Sequence, residues 1–281
     1  MRQRRYPSDT TNAEWALLEP LLPEPACETS RGGPPEKRPR RDIVDAIRYV
    51  VDTDCKWPAL PADFPPCARS GGSWPAGPPP GSSARSVTIS PARYAVTWAK
   101  SPRAVATMID SQSVKAAETV SRATRGYDAG KKINGGKRHL VVDTRGLPLV
   151  VMVTPADLHD AAAAKEVLFR LRLMHPEITI VWTDSAYAGK LVDWAKQHLN
   201  LTIKPVSRPK DTSGFVVLPR RWAVERSLAW MMHARRALDY ERLIQPSETL
   251  ITWAAITRMT SRLARKGATP SWPRKPALAF G

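Results

Sequence analysis

Two apolar stretches, AVATMID at residues 104–110 and ITIVWTD at residues 178–184, decide the fold. Each is typical of a buried β-strand, and each closes on an aspartate, Asp110 in the first and Asp184 in the second. An ionised carboxylate at the mouth of an apolar strand is costly unless water, a partner or a metal ion receives it. Both aspartates are therefore candidate functional residues.

Around these stretches, strands rich in β-branched residues alternate with amphipathic helices. Further strands are predicted over residues 138–144, 147–154 and 201–207, and an Arg-Gly step between the first two favours a hairpin. Helices are predicted over residues 160–175, 188–199 and 220–236, and a last one has Ser247 as its N-cap. This order predicts an α/β fold, a ribonuclease-H-like mixed sheet flanked by helices.

Residues 1–66 are predicted to form a small N-terminal all-helical domain. Thr11 and Glu14 have the spacing of a capping box, and Pro23 and Pro25 are expected to end that first helix. The second helix, at RRDIVDAIRYVVDTDC, has its apolar residues on one face: Ile43, Val44, Ile47, Val50 and Val51.

Residues 67–103 form a Pro/Gly/Ser-rich stretch in which no helical or strand period survives, and we predict an irregular linker. No acidic residue occurs between Asp63 and Asp110, whereas an ordinary folded surface mixes both signs of charge. The ribonuclease-H-like domain is then predicted over residues 104–265, followed by a loose tail at 266–281.

The composition favours a polyanionic partner. The 43 Lys and Arg residues exceed the 26 Asp and Glu residues, for a formal charge of +17, and nucleic acid is the common partner of such a surplus. No apolar run approaches the ~20 residues of a membrane span. Three cysteines without a C-x-x-C pair argue against a disulfide framework and a zinc site, so we expect a cytoplasmic protein.

In the predicted topology the two aspartate-bearing strands are neighbours, so Asp110 and Asp184 project from one edge of the sheet. Glu225, in the helix LPRRWAVERSLAWMM, is the candidate third acid. Converging carboxylates repel, and hard cations such as Mg²⁺ relieve that repulsion because they prefer oxygen ligands. A two-ion site activates a water or a 3′-hydroxyl and stabilises the leaving oxygen.

Each acid taken alone also has an ordinary structural interpretation. An aspartate after a strand often caps a helix or forms a turn, and Asp143 is expected to be such a turn residue. Glu225 alone is more typical of a helix-face acid paired with Arg221 or Arg226.

A basic stretch, KKINGGKRH at residues 131–139, is predicted to surround a Gly-Gly turn near the acids. Lysine and arginine release counterions when they contact DNA phosphates, although charged loops are often only solvated. The candidate DNA-binding residues here and on the Glu225 helix are Lys131, Lys132, Lys137, Arg138, Arg221 and Arg226.

Several motifs resemble bacterial insertion-sequence transposases of the DDE class, in particular the insertion-sequence-five group. They are IDSQSVK (109–115), RGYDAGKK (125–132), KRHLVVDTRGLPL (137–149), VTPADLHD (153–160), DSAYAGKLVDWA (184–195), RRWAVERSLAWMMHARR (220–236) and DYERL (239–243). The N-terminal RRYPSDTTNAEWALLEPLLP and KWPALPADFPP (56–66) are also similar to that family.

The resemblance implies that Asp110, Asp184 and Glu225 are the catalytic and metal-binding acids, with Arg221 as the companion of Glu225. It implies an enzyme that cleaves double-stranded DNA at the terminal inverted repeats of its element and joins the 3′ ends to target DNA. The reaction would need Mg²⁺ or Mn²⁺ and no covalent enzyme–DNA intermediate. A homodimer on DNA, associated with the bacterial nucleoid, is the expected assembly.

Two departures from the family pattern stand out. Leu218 and Met232 occupy the Tyr and Lys positions of the related signature around Glu225. After DFPP, the family has an aromatic-rich helical segment where this chain has CARSGGSWPAGPPPGSSARS. We hypothesise that residues 67 to about 100 are out-of-frame sequence. These departures leave open an inactive degenerate copy that retains the fold. A second alternative, a ribonuclease-H-like nuclease, would keep the same acids but would lack the RRWAVERSLAWM motif that is present here.

Overall fold

The computed structural model describes residues 3–65, 105–206 and 218–267, apart from residues 29, 31, 33, 34, 37, 233, 235–238 and 242. The predicted linker and nearly all of the predicted tail lie outside the described residues, and so does the hypothesised frame shift. Among the described helices, none combines the length and the apolar character needed to cross a bilayer.

One mixed sheet organises the described residues. Its strands are β1 (Ala106–Lys115), β2 (Gly126–Asp128), β3 (Ile133–Asp143), β4 (Pro148–Pro155), β5 (Ile180–Thr183) and β6 (Thr202–Pro205). β3 pairs antiparallel with β1, β2 and β4, whereas β1, β5 and β6 run parallel. The order is β2-β3-β1-β5-β6 with β4 also beside β3, which confirms the predicted ribonuclease-H-like fold.

The helices cover both faces of the sheet. They are α1 (Asn12–Leu18), α2 (Arg40–Thr53), α3 (Asp160–Met174), α4 (Lys190–Leu199), α5 (Pro219–Met231) and α6 (Ile244–Gly267). Neighbouring residues of β1 face opposite sides: Ile109 joins the core under α3 and α4, and Met108 joins the core under α1, α2, α5 and α6. Asp110, two residues after Met108, follows the same alternation toward α5.

The N-terminal helices share the second of these cores with α6. The capping box of Thr11 and Glu14 is confirmed, and the apolar face of α2 is buried as predicted. Buried Arg48 on α2 pairs with Glu14 on α1 at 3.3 Å, and Ser261 of α6 also donates to Glu14. α1 itself ends at Leu18, and a 3₁₀ turn over Glu19–Leu21 continues the helical stretch until just before Pro23, where it was predicted to end.

Two strand predictions are corrected. β1 does not close on Asp110, since the antiparallel pairing with β3 carries it on to Lys115. The Gly-Gly pair lies inside β3, and the turn before it includes Lys132, at φ 54°. A Cβ on Gly135 would lie 2.0 Å from the carbonyl oxygen of Val114, so the close approach of β1 requires glycine there.

The β3–β4 hairpin is confirmed, with Gly146 at φ 83° and Asp143 as the turn residue. Asp143 Oδ1 accepts hydrogen bonds from the backbone N–H of Arg145 and of Leu147 at 2.9 and 2.8 Å. Two helix ends differ from the prediction: α5 ends at Met231, and α6 begins at Ile244. Ser247 is therefore not an N-cap, and its hydroxyl donates to Asp239 Oδ1 at 3.2 Å instead.

Candidate active site

The pairing of β1 with β5 fixes the two aspartates relative to each other. These parallel strands are in register at Met108 and Trp182. Two residues further along each chain stand Asp110, still within β1, and Asp184, the first residue after β5. The same register therefore places both aspartates side by side where the parallel pair ends.

Each aspartate uses one carboxylate oxygen locally. Asp184 Oδ1 accepts from the N–H of Ala186 at 2.9 Å and caps a short turn, as the structural interpretation of that residue predicted. Asp110 Oδ1 accepts from the N–H of Ser111 at 2.8 Å. Within the described part of the chain, no donor reaches the second oxygen of either residue, so each has an oxygen available to a ligand.

Glu225 comes from α5, which packs on β1, β3 and β5. Its Oε1 lies 3.2 Å from Arg221 Nη2, and both side chains are partly exposed. The predicted pairing with Arg221 is thus present. Arg226 has other contacts: it donates to the carbonyl oxygen of Arg145 at 2.9 Å, and its Cζ lies 4.6 Å from the Trp230 ring centroid.

The electrostatics link these acids to Asp110. Burial raises the pKa of Asp110 to about 6, and the neighbouring charges of Asp184 and Glu225 act in the same direction. The Ser111 N–H and the Arg221 guanidinium oppose that rise in pKa. Three carboxylates thus come from separate elements, and Asp110 experiences the charge of both others.

The chemistry of this set suits a hard divalent cation, because carboxylate oxygens are its preferred ligands and would lose their mutual repulsion. The three carboxylates do not converge closely enough to coordinate one metal ion in this structure. Among the described residues, no three His, Cys, Asp or Glu side chains stand close enough to hold a metal ion. Glu225 is instead held in its ion pair with Arg221.

A buried polar network behind Asp110 was missed by the sequence analysis. Ser111 Oγ donates to Asp160 Oδ1 at 2.9 Å, and Lys137 Nζ lies 3.1 Å from the same oxygen. Lys137 also donates to the carbonyl oxygen of Leu158 at 2.8 Å. These residues meet only through the pairing of β1 with β3 and the start of α3, so no local sequence signal joins them.

The predicted DNA-binding residues divide by exposure. Lys131 and Lys132 are exposed at the turn before β3, whereas Lys137 and Arg138, inside β3, are each only 6% exposed. Arg138 Nη1 lies 3.9 Å from Met232 Sδ. Arg221 and Arg226 on α5 are partly exposed. The two lysines of the turn are therefore the most accessible of the six.

Comparison with known families shows the family of the chain. A family model described as the transposase DDE domain matches residues 101–259, more than half of the chain. The chain belongs to the DDE transposase family. A second model, for transposases of the IS4/5 family, matches residues 10–80. No curated protein matches the chain.

Membership in the DDE transposase family implies several general properties. This transposase is a nucleic-acid-modifying enzyme that binds DNA, and its family generally uses divalent metal ions. The two matched ranges leave residues 81–100 uncovered between them. That gap falls within the stretch that lacks acidic residues.

Proposed function

We propose that this transposase cleaves DNA at the ends of its insertion sequence and joins the 3′ ends to target DNA, with Asp110, Asp184 and Glu225 as its catalytic acids. The observation that carries the proposal is the register of β1 and β5, which sets Asp110 beside Asp184. The helix of Glu225 packs on both strands, and the charge of Glu225 raises the pKa of Asp110.

In this proposal the three acids hold Mg²⁺ or Mn²⁺. The bound cations would supply Lewis-acid activation of the attacking oxygen and charge stabilisation for the leaving 3′-oxygen. Asp110 and Asp184 contribute their free oxygens from a rigid sheet edge. Glu225 completes the set by rotating away from Arg221, which costs little because an exposed ion pair contributes only ~0–1 kcal/mol. Arg221 is then free to contact a DNA phosphate.

The DNA contacts form the second part of the proposal. Lys131 and Lys132 are exposed at the turn before β3 and are the phosphate contacts that we propose for that turn; because Leu140 pairs with Asp110, they lie nine and eight residues along the chain from the level of the acids. We keep Arg221 and Arg226 as contacts from α5, but we place Lys137 and Arg138 in the core of the sheet rather than on DNA. Synapsis of two DNA ends makes a homodimer the expected assembly on DNA.

The test is cleavage of an end-labelled duplex that carries the element's own terminal repeat, in Mg²⁺ or Mn²⁺. Asp184→Asn, Asp110→Asn and Glu225→Gln should each lose ~10²–10³-fold or more in rate, the scale seen when one contact to a developing charge is removed. The matched control is Asp193→Asn, an exposed acid in the first turn of α4, which should cleave normally. A wild-type rate of DNA cleavage in Asp184→Asn would contradict the proposal.

The hypothesised frame shift is tested on the same substrate. If the intact chain does not cleave, residues 67–100 are replaced with the corresponding segment of an active relative. Recovery of cleavage in that chimera would show that residues 67–100 cause the inactivity. Loss of that cleavage with Asp184→Asn would show that the acids carry out the reaction. A chimera that binds the repeat but remains silent would instead count against the three acids.

A further inference from the structure

Three arginines of α6 line a cavity that the proposed reaction leaves unassigned. The cavity, of about 520 Å³, lies between α5, α6 and the β3–β4 turn at Gly146. Arg258, Arg262 and Arg265 are all exposed along it. Their spacing of four and three residues brings them onto one face of the helix.

The positive charge of this face has no acidic partner among the described residues. Within the part of the chain that the structure describes, no carboxylate forms an ion pair with any of the three arginines. Glu14 reaches the cavity wall through Ser261, but its carboxylate is also bound by Arg48 and by the backbone N–H of Thr11. An uncompensated row of guanidinium groups beside a concave wall concentrates positive potential and attracts anions.

Trp230 holds one of these arginines in place. The Cζ of Arg262 lies 4.9 Å from the Trp230 ring centroid, and the Cζ of Arg226 lies 4.6 Å from the same centroid. Stacking engages the flat face of a guanidinium and leaves its N–H edge available. Arg226 already donates to the carbonyl oxygen of Arg145, whereas Arg262 is exposed and lines the cavity. Such pre-orientation suits a phosphate, which arginine binds through paired N–H donors.

The cavity also lies at a suitable place relative to the acids. Trp230 follows Glu225 by five residues on α5, which is about 7.5 Å along a helix axis. A DNA strand advances ~3.4 Å per phosphate along its duplex axis. Gly146 of the cavity wall also approaches Ala223 and Arg226, which lie on either side of Glu225 on α5, so a strand held at Asp110, Asp184 and Glu225 would have phosphates within a few nucleotides of the cavity.

We propose that the cavity of α5 and α6 binds backbone phosphates of the DNA strand close to the cleaved bond, with Arg262 as its central contact. The proposal rests on the proposed reaction for the position of the DNA, but not for the phosphate chemistry of the cavity. It adds a contact surface on the opposite side of Glu225 from Arg221.

The test measures binding of a labelled duplex of arbitrary sequence by fluorescence anisotropy at several KCl concentrations without divalent cations. Each phosphate contact contributes ~0.9 to the slope of log K against log salt. Arg262→Gln should lower the slope by about 0.9 and the triple variant R258Q/R262Q/R265Q by up to about 2.7. Thermal melting checks that the variants stay folded.

The matched control is Arg172→Gln on α3, which removes the same charge on the opposite face of the sheet. It should leave the salt slope unchanged; an equal fall in this control, or an unchanged slope in the folded triple variant, would overturn the proposal. Inorganic phosphate provides a second arm. If it raises the Tm of the wild type but not of Arg262→Gln, while both keep the same DNA slope, the cavity binds small anions and the DNA assignment is wrong.

The two proposals fail separately. Asp184→Asn should bind this duplex with the wild-type slope, because no acid of the candidate site takes part in the measurement. Normal cleavage by Asp184→Asn would remove the proposed chemistry and leave the phosphate contacts standing. An unchanged slope in the triple variant would remove the cavity and leave the chemistry standing.

Discussion

Asp110 on β1 and Lys137 on β3 are two charged side chains in one sheet, and both have carboxylate neighbours, which are opposite to the charge of Lys137 but like the charge of Asp110. Lys137 is 6% exposed, but the carboxylate of Asp160 at 3.1 Å and the carbonyl oxygen of Leu158 at 2.8 Å compensate its charge. Asp110 is partly buried beside Asp184 and Glu225, whose like charges join burial in raising its pKa to about 6.

The difference between the two residues indicates that Lys137 stabilises the fold, whereas Asp110 serves the proposed reaction. A buried charge with an opposite partner belongs to the scaffold, because removal of either member leaves the other unpaired. Carboxylates held together without compensation destabilise the fold, and such sites persist where their chemistry is needed. Asp110 and Lys137 are therefore expected to respond in opposite ways when the charge is removed.

The largest expected effect is that of Asp110→Asn. The pKa of Asp110 is about 6 in the folded protein, so the carboxyl keeps its proton up to about that pH, whereas the ordinary pKa of an aspartate is 3.8. This carboxyl therefore lowers the free energy of unfolding as pH rises from about 4 to 6, by about 2–3 kcal/mol in total. Asp110→Asn should remove that dependence and be more stable than the wild type at pH 8, while losing cleavage ~10²–10³-fold or more.

Urea unfolding at pH 4, 6 and 8 measures the effect. Asp193→Asn, at an exposed position of α4, is the control and should follow the wild-type pH profile. If Asp110→Asn is less stable than the wild type at pH 8, the Asp110 carboxylate has a compensating partner, and it does not differ from Lys137 in the way argued above.

Much of the fold could be predicted because its signals are local. The β-branched runs mark β1, β3, β4 and β5, the capping box marks α1, and the turn at Asp143 has its own backbone hydrogen bonds. The order of these elements then implies the sheet, and the neighbouring placement of Asp110 and Asp184 follows from it.

The rest depends on contacts between distant parts of the chain. Residues 131–139 have the composition of a solvated loop, yet β3 begins at Ile133 because it pairs there with β2, and the pairing with β1 and β4 follows from Gly135 and Gly136 onward. Gly135 is set by the approach of Val114, and the N-terminal helices share a core with α6. The arginine face of α6 was readable from its spacing, but the cavity beside it was not, because Trp230 comes from α5.

Divalent cations should affect the stability of variants at Asp110 and at Lys137 differently. If the three acids bind Mg²⁺, the cation neutralises the repulsion at Asp110 and stabilises the folded protein by about 2.7 kcal/mol at 100 times its dissociation constant. Asp110→Asn should show little of this gain at pH 8, and Lys137→Met should retain it. Thermal melting with increasing Mg²⁺ measures the response, and equal shifts in the wild type and in Asp110→Asn would place the cation elsewhere.

Lys137→Met should lower the free energy of unfolding by about 2 kcal/mol. The loss is smaller than the ~3–5 kcal/mol of a fully buried pair, because the Asp160 side chain keeps 22% of its surface exposed. The control is Lys131→Met, an exposed lysine whose loss should change stability by less than about 0.5 kcal/mol. Unchanged stability in Lys137→Met together with a weaker salt dependence of DNA binding would return Lys137 to the DNA surface.

The smallest effect is expected for Arg221→Gln. Its ion pair with Glu225 is 30% and 40% exposed, so the free energy of unfolding should change by no more than ~0.5 kcal/mol. The Arg221 charge lowers the pKa of Asp110, and its loss should therefore move the pH midpoint of the Asp110 effect to higher pH. The double variant Arg221→Gln/Asp110→Asn should show no such midpoint. An unchanged midpoint in Arg221→Gln would show that the guanidinium does not act on Asp110, and Arg221 would then lie outside the electrostatic group that defines the candidate site.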